Sequence, residues 1–189
     1  MYTDHMHEIE VKFRIKNLQD LEQKLGDRGC ILSDPIKQHD TVYSKAGDTS
    51  VWEGMKEGYI VIRIRRENKG AIFTLKQQRT NELDNIEYET KIDDPEALHQ
   101  SLLLLGFKPE VEVKKIRRKG KLGEDEICLD EVEELGGFVE LERLTNDSAD
   151  PKKVAEELYK KLELLGVSRN DEEKRGYDTQ LFQLHKVKS

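Results

Sequence analysis

The stretch Glu8–Ile15 reads EIEVKFRI and alternates without a break. Ile9, Val11, Phe13 and Ile15 share one face, and Glu8, Glu10, Lys12 and Arg14 share the other. A period of two with β-branched apolar residues means a half-buried strand. The same pattern returns along the chain: Asp40–Ser44, Tyr59–Arg66, Ala71–Gln78, Ile86–Ile92, Glu112–Lys119, Glu126–Val132 and Phe138–Arg143 all read as strands. Asn68-Lys69-Gly70 and Gly136-Gly137 supply turn residues between paired runs.

Helices fill the gaps. Asn17 caps a helix carrying Leu18, Leu21 and Leu25, with Gly29 as its stop. Asp94-Pro95 and Asp150-Pro151 each place a capping acid before a proline at the first helical position. The first opens a helix with Leu98, Leu102 and Leu105, and the second one with Val154, Leu158, Leu162 and Leu165. The run Leu102–Leu105 reads as core. A last short helix is expected from Asp171 to about Leu184, with Glu172-Glu173-Lys174 on its solvated face. Trp52 falls in a Gly-rich, charged loop over 48–58 and is expected to pack onto the sheet.

An offset of 77 positions places Glu87 on Glu10, Lys91 on Arg14, Leu98 on Leu21 and Gly106 on Gly29. The order strand, helix, strand, hairpin therefore occurs twice, which is a duplicated α+β unit. With 189 residues and no linker, the chain reads as one domain over 1–189.

The composition bounds the function. Acidic residues number 39 against 32 basic ones, a net charge of -7, which argues against a nucleic-acid surface. No apolar run approaches the roughly 18 residues of a membrane helix, and the start MYTDHMHEIE carries acids, unlike a secretory signal. Cys30 and Cys128 form no CxxC pair, so reduced thiols and a cytoplasmic location are expected.

What stands out is that nearly every strand has a face of full charges. The basic members are Lys12, Arg14, Arg63, Arg65, Lys76, Lys91, Lys115 and Arg117; the acidic ones are Glu8, Glu10, Glu87, Glu89, Asp130, Glu140 and Glu142. Any one such pair is ordinary on a solvated face, where ion pairs contribute little. If the sheet closes, the same faces line a lumen, and helices sufficient for one side only favour closure. Arginine forks suit phosphate oxygens. Carboxylates without histidine or cysteine suit hard ions such as Mg²⁺ or Mn²⁺. A chamber holding both sets fits a metal-chelated polyphosphate.

The segments carrying these charges resemble the CYTH superfamily. EIEVKF is similar to its ExExK signature, with Glu8, Glu10 and Lys12 in place. QHDTVY (Gln38–Tyr43), IRIRR (Arg63, Arg65), FTLKQ (Lys76), RTNELDNIEYE (Arg79, Glu87, Glu89), VKKIRRKG (Lys115, Arg117), ICLDEVEELGGFVELE (Asp130, Glu140, Glu142) and KRGYDTQL (Arg175, Tyr177) follow in the family's order. The superfamily joins CyaB-type class IV adenylyl cyclases with thiamine triphosphatases and other triphosphate tunnel enzymes.

The resemblance implies a closed eight-stranded antiparallel β-barrel with helices packed outside. It also implies two divalent ions, Mg²⁺ or Mn²⁺, and ATP or another triphosphate in the lumen. By carry-over, Glu8, Glu10, Asp130, Glu140 and Glu142 are metal candidates. Lys12, Arg63, Arg65, Lys76, Lys115, Arg117 and Arg175 are substrate-binding candidates. Glu10, Lys12, Arg63, Lys76, Arg117 and Asp130 are the catalytic set. Glu87 and Glu89 match the pattern without a decided role. The reading is a class IV-type adenylate cyclase making 3′,5′-cyclic AMP and pyrophosphate, with a metal-dependent triphosphatase as the alternative and a non-catalytic sensor third. The resemblance allows a homodimer; no nucleic-acid or membrane partner is expected. Two departures bear on the nucleobase: Tyr43 is followed by Ser44-Lys45-Ala46-Gly47 rather than an aromatic pair, and Lys119-Gly120 stands where an aromatic is common.

Overall fold

The computed structural model describes residues 7–46, 48, 52, 57–81, 84–145 and 149–188. The described residues form eight strands, β1 (His7–Ile15), β2 (Ile36–Lys45), β3 (Ile60–Glu67), β4 (Gly70–Asn81), β5 (Asp84–Ile92), β6 (Phe107–Leu122), β7 (Asp125–Val132) and β8 (Gly136–Thr145), with α1 (Leu18–Gly26) after β1, α2 (Pro95–Leu104) after β5, and α3 (Pro151–Glu163) and α4 (Tyr177–Lys188) after β8. All neighbouring strands pair antiparallel and close into a barrel in the order β1-β5-β4-β3-β2-β6-β7-β8.

The duplication is visible in this order. Exchanging β1 with β5, β2 with β6, β3 with β7 and β4 with β8 returns the same ring. Glu8 pairs with Asn85 and Gln38 with Lys115, and each pair spans the 77-residue offset of the sequence repeat. The pseudo-twofold axis therefore passes through these two seams.

Alternation then sorts the side chains. Outward apolar residues of β1, β7 and β8 (Ile9, Val11, Phe13, Ile127, Leu129, Val139 and Leu141) pack under α1 and α3 through Leu21, Leu25, Val154, Leu158 and Leu162. Tyr43, Ile62 and Ile64 pack under Leu102 and Leu98 of α2. The expected caps hold these helices: Asn17 accepts from the Asp20 amide, Asp94 from Ala97, and Asp150 from Lys152 and Lys153. Gly106 and Gly166, at φ +85° and +84°, turn the chain out of α2 and α3 in a region that disfavours other residues.

Four local expectations are corrected. β6 begins at Phe107 rather than Glu112, because Pro109 is absorbed at a register shift beside Val42 and Tyr43. A bulge is where a residue lacking an N–H can sit in a ladder. Only Leu102 of the leucine run is core; Leu104 is 90% exposed and Leu105 70%, since consecutive helical residues point around the axis. The final helix starts at Tyr177, not Asp171. A short 3-10 turn covers Arg169–Asp171, and the chain then lies along β1, with Glu172 bridged to Phe13 and the Glu173 amide donating to Lys12 O at 2.9 Å. Glu173 is consequently buried, not on a solvated helix face.

α4 departs from the external packing of the other helices. Tyr177 and Leu181 join Val42, Val113, Val132 and Phe138, which share strand faces with the charged residues, together with Trp52. The Trp52 ring stacks on Phe182 at 5.2 Å, so it packs onto the barrel as expected; most of its loop lies outside the described residues. The barrel interior thus has an apolar end stoppered by α4 and a charged remainder. Among the described residues, no helix is long and apolar enough to cross a membrane.

Candidate active site: a charged tunnel

The barrel encloses a cavity of about 150 Å³, lined by inward-facing charges from β1 to β6 and β8 and by the first turn of α4. Glu8, Glu10, Lys12, Arg63, Arg65, Lys76, Glu87, Glu89, Lys115, Arg117, Glu140 and Glu142 all line it. The alternation of each strand delivers them together, which is what the sequence pattern required for a lumen.

Three carboxylates gather in one corner, with Lys76 3.9 Å from Glu8, Lys12 3.6 Å from Glu10 and Arg117 3.8 Å from Glu142. Glu10 on β1 lies opposite Glu142 on β8, and ligand oxygens of Glu8, Glu10 and Glu142 lie within 4.8 Å of one another. Burial raises the Glu8 carboxyl to about 8 against the pull of Lys76, with Glu142 and Glu87 adding to the rise. Burial, Glu140 and Glu142 push Glu10 well up, and Glu142 is raised by burial despite Arg117. Glu10 Oε1 is buried with no hydrogen-bond partner. Three crowded carboxylates and an orphaned acceptor are what a hard divalent cation satisfies, so the residues fit Mg²⁺ or Mn²⁺. Glu142 also forms a ligand group with Glu126 and Cys128, but burial holds the Cys128 thiol protonated.

The other side is a wall of arginine and lysine held by its own acids. Arg65 Nε and Nη2 donate to the two oxygens of Asp40, each at 2.7 Å. Arg117 Nε and Nη2 donate to Asp130 at 2.7 and 2.5 Å, and Nη2 also reaches Glu140. Lys115 Nζ donates to Asp130 at 3.1 Å. Lys12, 2% exposed, stands between Glu10 at 3.6 Å and Glu140 at 3.9 Å. The Tyr177 ring lies under the ammonium groups of Lys12 and Lys115, at 4.5 and 4.8 Å, a cation–π arrangement. Lys76 pairs with Glu87 at 2.8 Å. Arg63 is held more loosely, by Thr74 at 3.1 Å and Glu87 at 3.5 Å, and its Nε is buried without a partner.

Two candidates stand apart from the cavity lining. Asp130 is fully buried beneath it, accepting from Arg117, Lys115 and the Tyr177 hydroxyl. Arg175 donates to Glu173 at 2.7 and 2.8 Å beside α4. Glu87, undecided from sequence, lies against Lys76 and Arg63; despite burial these cations bring its carboxyl down to about 2.

Sequence reasoning missed Asp40, Asn85 and Lys119, which also line the cavity. Parity could have found each: Asn85 lies two residues before Glu87, Lys119 two after Arg117, and Asp40 on the lumen face of QHDTVY. Tyr177 was quoted without a role because nothing in the sequence places a terminal helix inside a barrel.

Comparison with known proteins agrees with this arrangement. The CYTH domain matches residues 6–177. "Putative adenylate cyclase MJ0240" of Methanocaldococcus jannaschii is 29% identical over 174 residues, covering 91% of this chain and 97% of that protein. The PH1819 protein of Pyrococcus horikoshii OT3 superposes with a TM-score of 0.77 at 28% identity, covering 94% of this chain and 99% of that one. "Putative adenylyl cyclase HpAC1" from Hippeastrum, described as having a dominant triphosphatase activity, shares the fold at a TM-score of 0.61 and 18% identity over 95% and 96% of the two chains. CYTH enzymes are metal-dependent and act on triphosphates. With a matching domain over nearly its whole length and a charged barrel of that architecture, this chain belongs to the CYTH domain family.

Proposed function

We propose that the protein is a class IV-type adenylate cyclase that converts ATP to 3′,5′-cyclic AMP and pyrophosphate, using two Mg²⁺ or Mn²⁺ ions. The observation that carries a metal–triphosphate site is the cluster of three carboxylates beside arginine and lysine side chains around one cavity. The adenylate cyclase name of the M. jannaschii relative, aligned over nearly its full length, supports cyclisation in particular.

Glu8, Glu10 and Glu142 would hold the cations, with Glu140 beside them. When bound, the ions supply Lewis acidity to the attacking hydroxyl and neutralise phosphate charge. Arg63, Arg65 and Lys76 on one side and Lys12, Lys115 and Arg117 on the other offer fixed donors to the triphosphate oxygens. Donors fixed in a water-poor lumen stabilise charge that builds on the leaving pyrophosphate. Among the described residues, no histidine or cysteine lines the cavity, so the protein's part is to bind, orient and neutralise.

A second reading, a triphosphatase, is supported by the likeness to the Hippeastrum protein. The activity described for the Hippeastrum protein belongs to the same fold. Incubation of pure protein with ATP and Mg²⁺ or Mn²⁺, with products resolved by chromatography, separates the readings. Cyclic AMP with pyrophosphate supports cyclisation, orthophosphate supports hydrolysis, and bound but unchanged ATP counts against both.

A further inference from the structure

The pseudo-twofold relates two buried ion pairs whose charges are exchanged. Asp40 on β2 lies directly opposite Arg65 on β3, and Arg117 on β6 directly opposite Asp130 on β7. The axis exchanges β2 with β6 and β3 with β7, and the 77-residue offset that holds at Gln38 and Lys115 carries position 40 to position 117. One half therefore presents acid then arginine, and the other presents arginine then acid. Both pairs use the same fork: Nε and Nη2 engaged by the two carboxylate oxygens at 2.5–2.7 Å. Both aspartates are buried, at 3% and 0% exposure.

Chance ion pairing does not account well for this. A carboxylate offers about four acceptor positions. Asp130 Oδ2 takes Arg117 Nη2, Lys115 Nζ and the Tyr177 hydroxyl, and Oδ1 takes Arg117 Nε. Asp130 is 0% exposed and does not line the cavity, so it is not placed to hold a cation there. A fork gripped on its Nε–Nη2 edge cannot rotate, which leaves Nη1 as the edge for an incoming anion. Arg117 Nη1 lies on the cavity side, 3.8 Å from Glu142.

We infer that Asp40 and Asp130 are positioning residues that hold Arg65 and Arg117 as a rigid two-armed anion clamp across the pseudo-twofold. Asp130 then acts through arginine and lysine rather than as a metal ligand. The inference rests on the triphosphate reading of the tunnel. Pre-fixing the two guanidinium planes spares the ordering cost that free arginine side chains would carry on binding. Without its aspartate, Arg117 would fold onto Glu140 and Glu142, which it already touches.

The test measures two affinities on full-length protein: inorganic tripolyphosphate in EDTA, and Mn²⁺ alone. For Asp40→Asn and Asp130→Asn we expect tripolyphosphate affinity to fall about tenfold or more, as befits loss of a charge-assisted fork. Mn²⁺ affinity should stay within about threefold, set by carboxylates that neither change removes. A tenfold loss of Mn²⁺ affinity in Asp130→Asn, or unchanged tripolyphosphate affinity in both variants, overturns the inference. Wild-type protein that binds no tripolyphosphate with or without Mg²⁺ overturns the tunnel reading instead. The exchange D40R/R65D rebuilds the β2–β3 pair with the polarity of the β6–β7 pair and guards against simple misfolding. It should melt near wild type yet bind tripolyphosphate at least about tenfold more weakly; wild-type affinity would show that arginine position is immaterial and count against the clamp.

Discussion

The acidic corner and the basic wall use the same side chains to opposite ends. In the corner, burial and mutual repulsion push Glu8, Glu10 and Glu142 up. In the wall, Asp40, Asp130 and Glu140 are buried more deeply still, yet nearby arginine and lysine hold all three below the usual carboxylate range. Burial is common to both sets, so the partner decides. Carboxylates gripped by guanidinium forks organise the protein's own cations, and carboxylates crowded together with cations only at 3.6–3.9 Å call for an external one.

This contrast can be broken most severely at Glu10. Glu10→Gln should lower turnover at least about a hundredfold by weakening cation binding, while its melting temperature stays level or rises because a repelling charge is gone. A kinetic assay beside a thermal melt checks both halves. Arg63→Ala should weaken triphosphate affinity by about ten- to a hundredfold, the scale of a charge-assisted hydrogen bond in a buried site. Its effect on Mn²⁺ affinity should be small, and titration calorimetry distinguishes the two ligands.

The wall should respond in stability where the corner does not. Glu140→Ala leaves Arg117 and Lys12 short of a buried partner, and should cost about 3 kcal/mol in urea unfolding. Equal stability changes in Glu10→Gln and Glu140→Ala would erase the distinction drawn between the two sides.

Much of this was legible beforehand. EIEVKFRI and its seven companions announce strands because alternation survives in each, and the 77-residue offset recurs as paired residues at both seams. Parity gathered the charged face and the family resemblance made it a lumen; Arg14 and Lys91 share that parity but lie outside the cavity lining. What the pattern could not carry was who faces whom across strands. Asp130 and Glu142 both read as acids on a charged face, yet one is enclosed by four donors and the other stands among carboxylates. The start of α4 was missed for a related reason: Glu172 and Glu173 have helical composition, but β1 captures their backbone and Arg14 and Arg175 capture Glu173.

That last cluster sharpens the comparison from outside the lumen. Glu173 is paired as the wall acids are: burial opposes, but Arg175 and Arg14 bring its carboxyl from 4.5 to about 2. A depressed carboxylate adds stability that is present above its unfolded pKa and lost as pH falls through its folded one. Its contribution, roughly 1–3 kcal/mol, should therefore vanish between about pH 4.5 and 2. Urea unfolding of wild type and Glu173→Gln should differ at pH 7 and converge near the bottom of that window. A gap that persists unchanged into strong acid would deny the pairing.

On the proposed reading, the acidic corner serves a cation that makes the triphosphate reactive. Its most direct test is ATP turnover by wild type and Glu10→Gln, each with Mg²⁺ or Mn²⁺, followed as cyclic AMP and pyrophosphate. Both products are expected from wild type, with a loss of at least about a hundredfold in the variant. Neither cyclic AMP nor orthophosphate from wild type, or equal turnover by the two proteins, would contradict it.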